Sequence, residues 1–234
     1  VDILENEIKA KYPEVLELLL FDHTSRKNII WATNNYKNLG EQFRFDNEIS
    51  QELITGENGH IIMPRVHKDK ILQKSRTKDK AEIFTPSWVC NAQNNLIDNV
   101  WFGRENIFNF ENKKPNENNR WKVNKSKIEY PDGKSWENYV KDRRLEITCG
   151  EAPYITSRYD TTNGEFIQVE DRIGLLDRKL RVINENVDES GEWLKASQIA
   201  YKSIYAYEWQ GDSLLLARES MLVTFIENYR LKFG

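Results

Sequence analysis

Apolar residues recur at helical spacing from the start of the chain: Ile3, Ile8, Val15, Leu16, Leu19 and Leu20 stand among acids and lysines. The pattern predicts a helix over residues 1–20, split at Pro13, where the ring removes an N–H and crowds the preceding turn. Residues 24–28 read as a turn and 29–33 as a short strand. A loop at Gly56 to Gly59 leads into Ile61, Ile62 and Met63. A helix is expected from residue 85 toward Trp101, with Thr85 as N-cap and Pro86 in the first helical position. Residues 111–127 are rich in Asn and Lys and poor in apolar positions, which predicts a surface loop or linker.

Beyond a turn at Pro131-Asp132-Gly133, the pattern gives a short helix over 136–141 and a strand over 145–148. A second turn over 160–165 follows, then helices over 173–187 and 193–201, a strand over 204–207, and a helix from Asp212 carrying Leu214, Leu215, Leu216, Met221 and Phe225. Strands alternating with helices predict an α/β protein with a parallel sheet. The last helix is still running at Gly234, where such a sheet would ordinarily go on to add strands.

Composition narrows the class. Of 234 residues, 39% are hydrophobic and 12% aromatic, enough for a packed core. Charged residues are 30% with a net charge of −3, so the chain lacks the basic excess of a protein that coats nucleic acid. No apolar run approaches the ~20 residues of a membrane span, and no signal-peptide pattern is present, so no membrane partner and a cytoplasmic location are expected. Cys90 and Cys149 are too few and too far apart for a disulfide framework. His23, His60 and His67 are scattered and form no zinc pattern. Arg65, Lys68, Lys70, Lys74, Arg76, Lys78 and Lys80 form the densest basic run. It reads as a solvated helix face with Ile71 and Leu72 beneath, or as a phosphate-contacting segment.

Candidate chemistry rests on three places. A cofactor loop needs backbone that turns closely under a ligand after a strand, and Cys149-Gly150 provides such a turn after Glu146 and Ile147. An acid ending the next strand accepts bonds from ribose hydroxyls, and Glu208 ends the strand 204–207. Together with Phe84-Thr85-Pro86, the order of these segments resembles bacterial adenine-specific DNA methyltransferases, the M subunits of restriction–modification systems. In that family Phe-x-Thr-Pro precedes an Asp-Pro-x-Cys-Gly-x-Gly loop, followed by an acid-ended strand and an Ala-Arg-x-Asn-Leu helix; Leu216-Ala217-Arg218 stands at the corresponding place.

The resemblance covers residues ~76–225. It implies a Rossmann-like S-adenosylmethionine-dependent domain over 76–234, preceded by a mainly helical segment over 1–75. It places Phe84, Thr85 and Pro86 beside the methionine end of S-adenosylmethionine, Glu146, Cys149 and Gly150 in the cofactor loop, and Glu208 on the ribose. Trp209 either stacks on the adenine or is a core aromatic. Double-stranded DNA and a restriction or specificity subunit are the implied partners.

Several features depart from the family. Its Asp-Pro is Glu146-Ile147 here, and Ala152-Pro153 replaces its closing glycine, stiffening the loop. The span from Gly150 to Glu208 is about twice one strand–helix–strand step. Residues 158–190 therefore read as an insertion, whose Arg158, Arg172, Arg178 and Arg181 are expected to pair with Glu165, Glu170, Asp171 and Asp177 rather than to face a phosphate. The catalytic Asn/Asp-Pro-Pro-Tyr/Phe is absent, so no catalytic residue is assigned. In the family it follows the ribose acid, so either the chain is the N-terminal part of a longer enzyme or it is a silent methyltransferase-like module binding DNA or a subunit. A restriction-nuclease component is a further alternative, since the family travels with restriction enzymes and acid–lysine pairs such as Glu192 and Lys195 are present.

Overall fold

Pro13 does split the N-terminal helix. In a computed structural model describing residues 5–68, 85–116 and 119–234, α1 (Glu5–Lys11) ends just before it, and α2 (Pro13–Leu20) takes it as first residue. There its missing N–H is no loss. The chain then turns through a two-residue antiparallel hairpin, β1 (Phe21–Asp22) with β2 (Lys27–Asn28). The Asp22 carboxylate closes this turn by accepting from the backbone N–H groups of Thr24 and Ser25, each at 3.0 Å. Hydrogen bonds from the Ser25 side chain and then the Thr24 backbone hold its pKa down to about 2.

Residues 29–32 run antiparallel to residues 45–49, joined by Ile49 N–H to Ile29 O, Trp31 N–H to Asn47 O and Ala32 N–H to Phe45 O. The expected strand over 29–33 is thus an extended ladder with a single bridge, Ile30 to Glu48, and it stops where Ala32 turns to φ +51°. A one-turn helix, α3 (Gln51–Ile54), follows.

The structure divides into two compact units whose sequence interleaves. The first comprises residues 1–82, 147–151 and 207–220, the second 83–146, 152–206 and 221–234. Leu16, Leu20, Trp31, Tyr36, Phe43, Ile49, Ile54, Leu215 and Leu216 form the core of the first. Gly211 admits close packing there: its N–H donates to Trp31 O, and a Cβ would lie 2.0 Å from Ile30 O. Arg218 donates to Leu19 O at 2.7 Å and Phe21 O at 3.2 Å, supplying partners where α2 ends.

The second unit holds α4 (Ser87–Phe102), an antiparallel hairpin of β3 (Asn109–Asn116) and β4 (Asn119–Val123), α5 (Trp136–Lys141), α6 (Leu175–Asn186) and α7 (Ser190–Lys202). The hairpin corrects the loop expected over 111–127. Its polar composition misled in that Asn109, buried, accepts hydrogen bonds from α4 rather than from water, and the exposed Glu111 accepts another from Asn95. The supposed insertion over 158–190 is core, with Leu175, Leu176, Leu180, Val182 and Ile183 buried. Trp193 packs against Phe225, Tyr229 and Phe233, which recur every four residues along α8 (Gly211–Phe233).

β5 (Arg144–Ile147) pairs with β6 (Ile204–Tyr207). Arg144 N–H donates to Ser203 O and Cys149 N–H to Tyr207 O, so partners advance in the same direction and the pair is parallel. The final residue of each strand belongs to the first unit and the rest to the second. The protein is therefore mixed α/β, and among the described residues every sheet has two strands. Among those residues no helix is long and apolar enough to cross a membrane.

Candidate functional site

The candidates fall into two sets. Cys149, Gly150, Glu208 and Trp209 lie in the first unit, whereas Thr85, Pro86 and Glu146 lie in the second. Phe84, with most of the basic run (Lys70, Lys74, Arg76, Lys78 and Lys80, and Ile71 and Leu72 beneath), lies outside the described residues.

In the first unit the turn and the acid meet. Gly150 sits at φ +54°, with nothing within 4 Å of where a Cβ would stand, and its N–H donates to Glu208 Oε2 at 2.7 Å. Glu208 Oε1 accepts from the N–H groups of Trp209 at 2.9 Å and Gln210 at 3.0 Å. One carboxylate therefore joins the turn after β5 to the entry of α8, where an anion also complements the helix dipole. The two lone pairs of Oε1 are thereby taken, and Oε2 keeps one for a further donor.

Cys149 is 2% exposed and packs inward. Trp209 is 70% exposed, so it is no core aromatic; Tyr207 and Ile147 are exposed as well. Ala152 stands at φ +59°, so the stiff Ala-Pro end of the loop holds a backbone conformation ordinarily left to glycine. Behind the turn Glu151, 3% exposed, accepts from Arg65 N–H at 2.7 Å.

A second carboxylate organises the start of α8. Asp212, fully buried, accepts from Tyr36 Oη at 2.7 Å, and Lys68 Nζ lies 3.2 Å away. The sequence reading missed it, for its partners lie 144 and 176 residues away in sequence.

In the second unit the N-cap expectation fails. α4 begins at Ser87 with Pro86 as the capping residue, which offers no side-chain oxygen. Asp160, from a distant turn, replaces it: Oδ2 accepts from Ser87 N–H at 2.9 Å and Ser87 Oγ at 2.5 Å, while Oδ1 accepts from Thr162. Burial raises the Asp160 pKa, but the Ser87 and Thr162 bonds outweigh it and hold the group below its ordinary value. Thr85 contributes its carbonyl, which accepts from Thr161 Oγ1 at 3.1 Å and Cys90 Sγ at 3.6 Å. Glu146 is buried. Burial and then the Glu146 charge push the Cys90 thiol well up, so it stays protonated and is a poor nucleophile.

The four arginines pair, but not as expected. Arg158 and Arg172 both meet Glu227, at 3.3 and 2.7 Å, Arg178 meets Asp98 at 2.6 Å, and Arg181 meets Glu185 at 2.9 Å. Arg178 also donates to Asn91 and Asn95, and Asp98 accepts from Tyr139 Oη and Arg144, which makes a buried network with charges offset. Among the described residues no three His, Cys, Asp or Glu side chains converge as metal ligands.

No protein-family model, curated protein or solved structure matches the chain.

Proposed function

We propose that the chain is the cofactor-binding part of a Rossmann-like, S-adenosylmethionine-dependent DNA adenine methyltransferase of a restriction–modification system, with double-stranded DNA and a restriction or specificity subunit as partners. The observation that carries this reading is the 2.7 Å bond from Gly150 N–H to Glu208. Two residues 58 positions apart, each singled out for a different part of one ligand, belong to one cluster at the ends of a parallel strand pair. Crevices at the carboxyl ends of parallel strands are where α/β proteins bind nucleotides.

The residues present fit such a ligand. The open face of Gly150 leaves the backbone approachable, Glu208 retains acceptor capacity, and the exposed Trp209 offers a ring. S-adenosylmethionine supplies an activated methyl group. Glu208 would hold its ribose, Trp209 would stack on its adenine, and Cys149 and Gly150 would form the loop beneath it, with Glu146 in that loop and Phe84, Thr85 and Pro86 at the methionine end assigned by resemblance alone.

Isothermal titration with S-adenosylmethionine and S-adenosylhomocysteine tests the reading. Binding by the wild type is expected, weakened by roughly 1–3 kcal/mol in Glu208→Ala, the scale of lost charge-assisted hydrogen bonds. Absence of binding to the wild type rejects the cofactor assignment.

A second reading follows from Glu208 accepting three backbone N–H groups. In that reading the acid is a structural clasp and the chain a silent module. Duplex binding in a gel-shift assay, unchanged by S-adenosylmethionine, with no heat on cofactor titration, would favour it.

A further inference from the structure

A groove of about 560 Å³ in the second unit shares no residue with the cluster at Gly150 and Glu208. Trp136 and Glu137 form one wall, at the start of α5. Residues 186–189, leaving α6, form another, and Glu192, Lys195, Ala196 and Ile199 line it from α7. Those last four stand at i, i+3, i+4 and i+7, so they share one face of the helix. The apolar part is Trp136, Val187, Ala196 and Ile199, and Ile199 is 39% exposed. Four carboxylates border it, Glu137, Asp188, Glu189 and Glu192, against one lysine, Lys195. Lys195 is already bound to Glu192 at 2.8 Å, and Lys232 reaches Asp188 at 2.7 Å. An acidic excess remains beside an apolar surface.

We propose that this groove binds a lysine- or arginine-bearing segment of a partner protein, laid so that its cationic heads meet the carboxylates and its apolar side chains cover Ile199, Val187 and Trp136. Long basic side chains suit such a site, because their methylene stems lie on apolar surface while their heads reach the charged rim. The same carboxylates disfavour nucleic acid and anionic lipid, whose phosphates they would repel. A second copy of the chain, with a net charge of −3, is the poorer electrostatic match. The proposal does not depend on methyltransferase activity.

The test is fluorescence anisotropy with a fluorescein-labelled amphipathic helical peptide of Lys, Leu and Ala, and with its Glu-for-Lys counterpart. The wild type is expected to bind the Lys peptide and not the Glu peptide, more weakly as salt rises. Affinity for the Lys peptide should fall by about 10-fold or more in Glu189→Lys/Glu192→Lys, and by less in Glu189→Gln/Glu192→Gln. It should stay at the wild-type value in Glu57→Lys/Glu105→Lys, which changes the net charge equally at exposed sites elsewhere. All substituted positions are exposed, and circular dichroism checks that each variant folds. Equal binding of the two peptides, no binding of either, or equal weakening in both Lys variants overturns the proposal. Sedimentation equilibrium showing self-association that Glu189→Lys/Glu192→Lys abolishes would give the groove to a second copy and overturn it as well.

Discussion

Lys179 is fully buried, and its ammonium donates to the carbonyls of Val140 and Asp142 and to Ser203 Oγ. Burial, with the positive charge of Arg144 nearby, pushes its pKa down to about 7. The unfolded chain therefore binds more protons than the native one between about pH 7 and 10.5, and stability rises with pH across that window. Above pH 9 the raised pKa of Cys90 acts oppositely, so the clean interval is pH 7–9. Urea titrations should show the wild type gaining roughly 1–3 kcal/mol there, and Lys179→Met should flatten the rise whatever its absolute stability. Arg178→Met is expected to cost about 3–5 kcal/mol, since it leaves Asp98 buried with less compensation. An unchanged denaturation midpoint would contradict that role. Gly211→Ala should destabilise by at least ~2 kcal/mol, because backbone rather than a flexible side chain stands at 2.0 Å. None of these three positions was legible in the sequence. A lysine on an amphipathic helix reads as solvent-facing until its distant partners are known, Arg178 was expected to pair with nearby acids rather than with the remote Asp98, and Gly211 shows ordinary punctuation.

At the scale of elements, the parts set by local rules were legible. Pro13 marks a break, Trp136 opens a short helix, and Ile204 to Tyr207 is a strand, each within a residue or two of expectation. Elements whose cause is remote were not. The N-terminus of α4 has no capping side chain of its own, and its donors are met by Asp160, 73 residues away from Ser87. Asp160→Ala should cost about 1–2 kcal/mol or more, the upper range for a lost cap with a buried donor left behind, and should lower amide protection in the first turn of α4. Hydrogen exchange reads this directly; unchanged protection at Ser87 to Cys90 would sink the assignment. Likewise the β3–β4 hairpin begins at an asparagine that faces protein, since Asn109 bonds both Asn91 and Asn95 of α4 inside the unit. Composition alone cannot distinguish amides that face water from amides that face each other.

For the whole molecule, carboxylates held below their ordinary pKa set the acid limit. Burial raises the Glu227 pKa, but Arg172 and Arg158 outweigh it and lower the net value; Asp160 is lowered too, by its hydrogen bonds. A depressed native pKa contributes stability that is present above the unfolded value and lost as pH falls through the folded one. Stability should therefore decline below about pH 4.5, and Glu227→Gln should make the decline shallower. Thermal melts between pH 3 and 6 would show this, and an identical pH dependence in the variant would refute it. In the candidate site, the turn at Gly150 and the acid at Glu208 were legible because strand ends carry recognisable residues. Their direct bond, the Asp212 cluster and the pairing of Arg158 and Arg172 with Glu227 were not, because each joins segments far apart in sequence.

The interleaving of the two units has a practical consequence for dissecting the gene. The chain passes from one unit to the other after residues 82, 146, 151, 206 and 220. No single truncation point, and no pair of expression fragments divided at one place, can isolate either unit with its core complete. The first would lack Leu215 and Leu216 without its C-terminal stretch, and the second would lose Phe225, Tyr229 and Phe233 from around Trp193. A protease nick in an exposed loop should accordingly leave two pieces that stay associated until denaturant is added, rather than two that separate and fold independently.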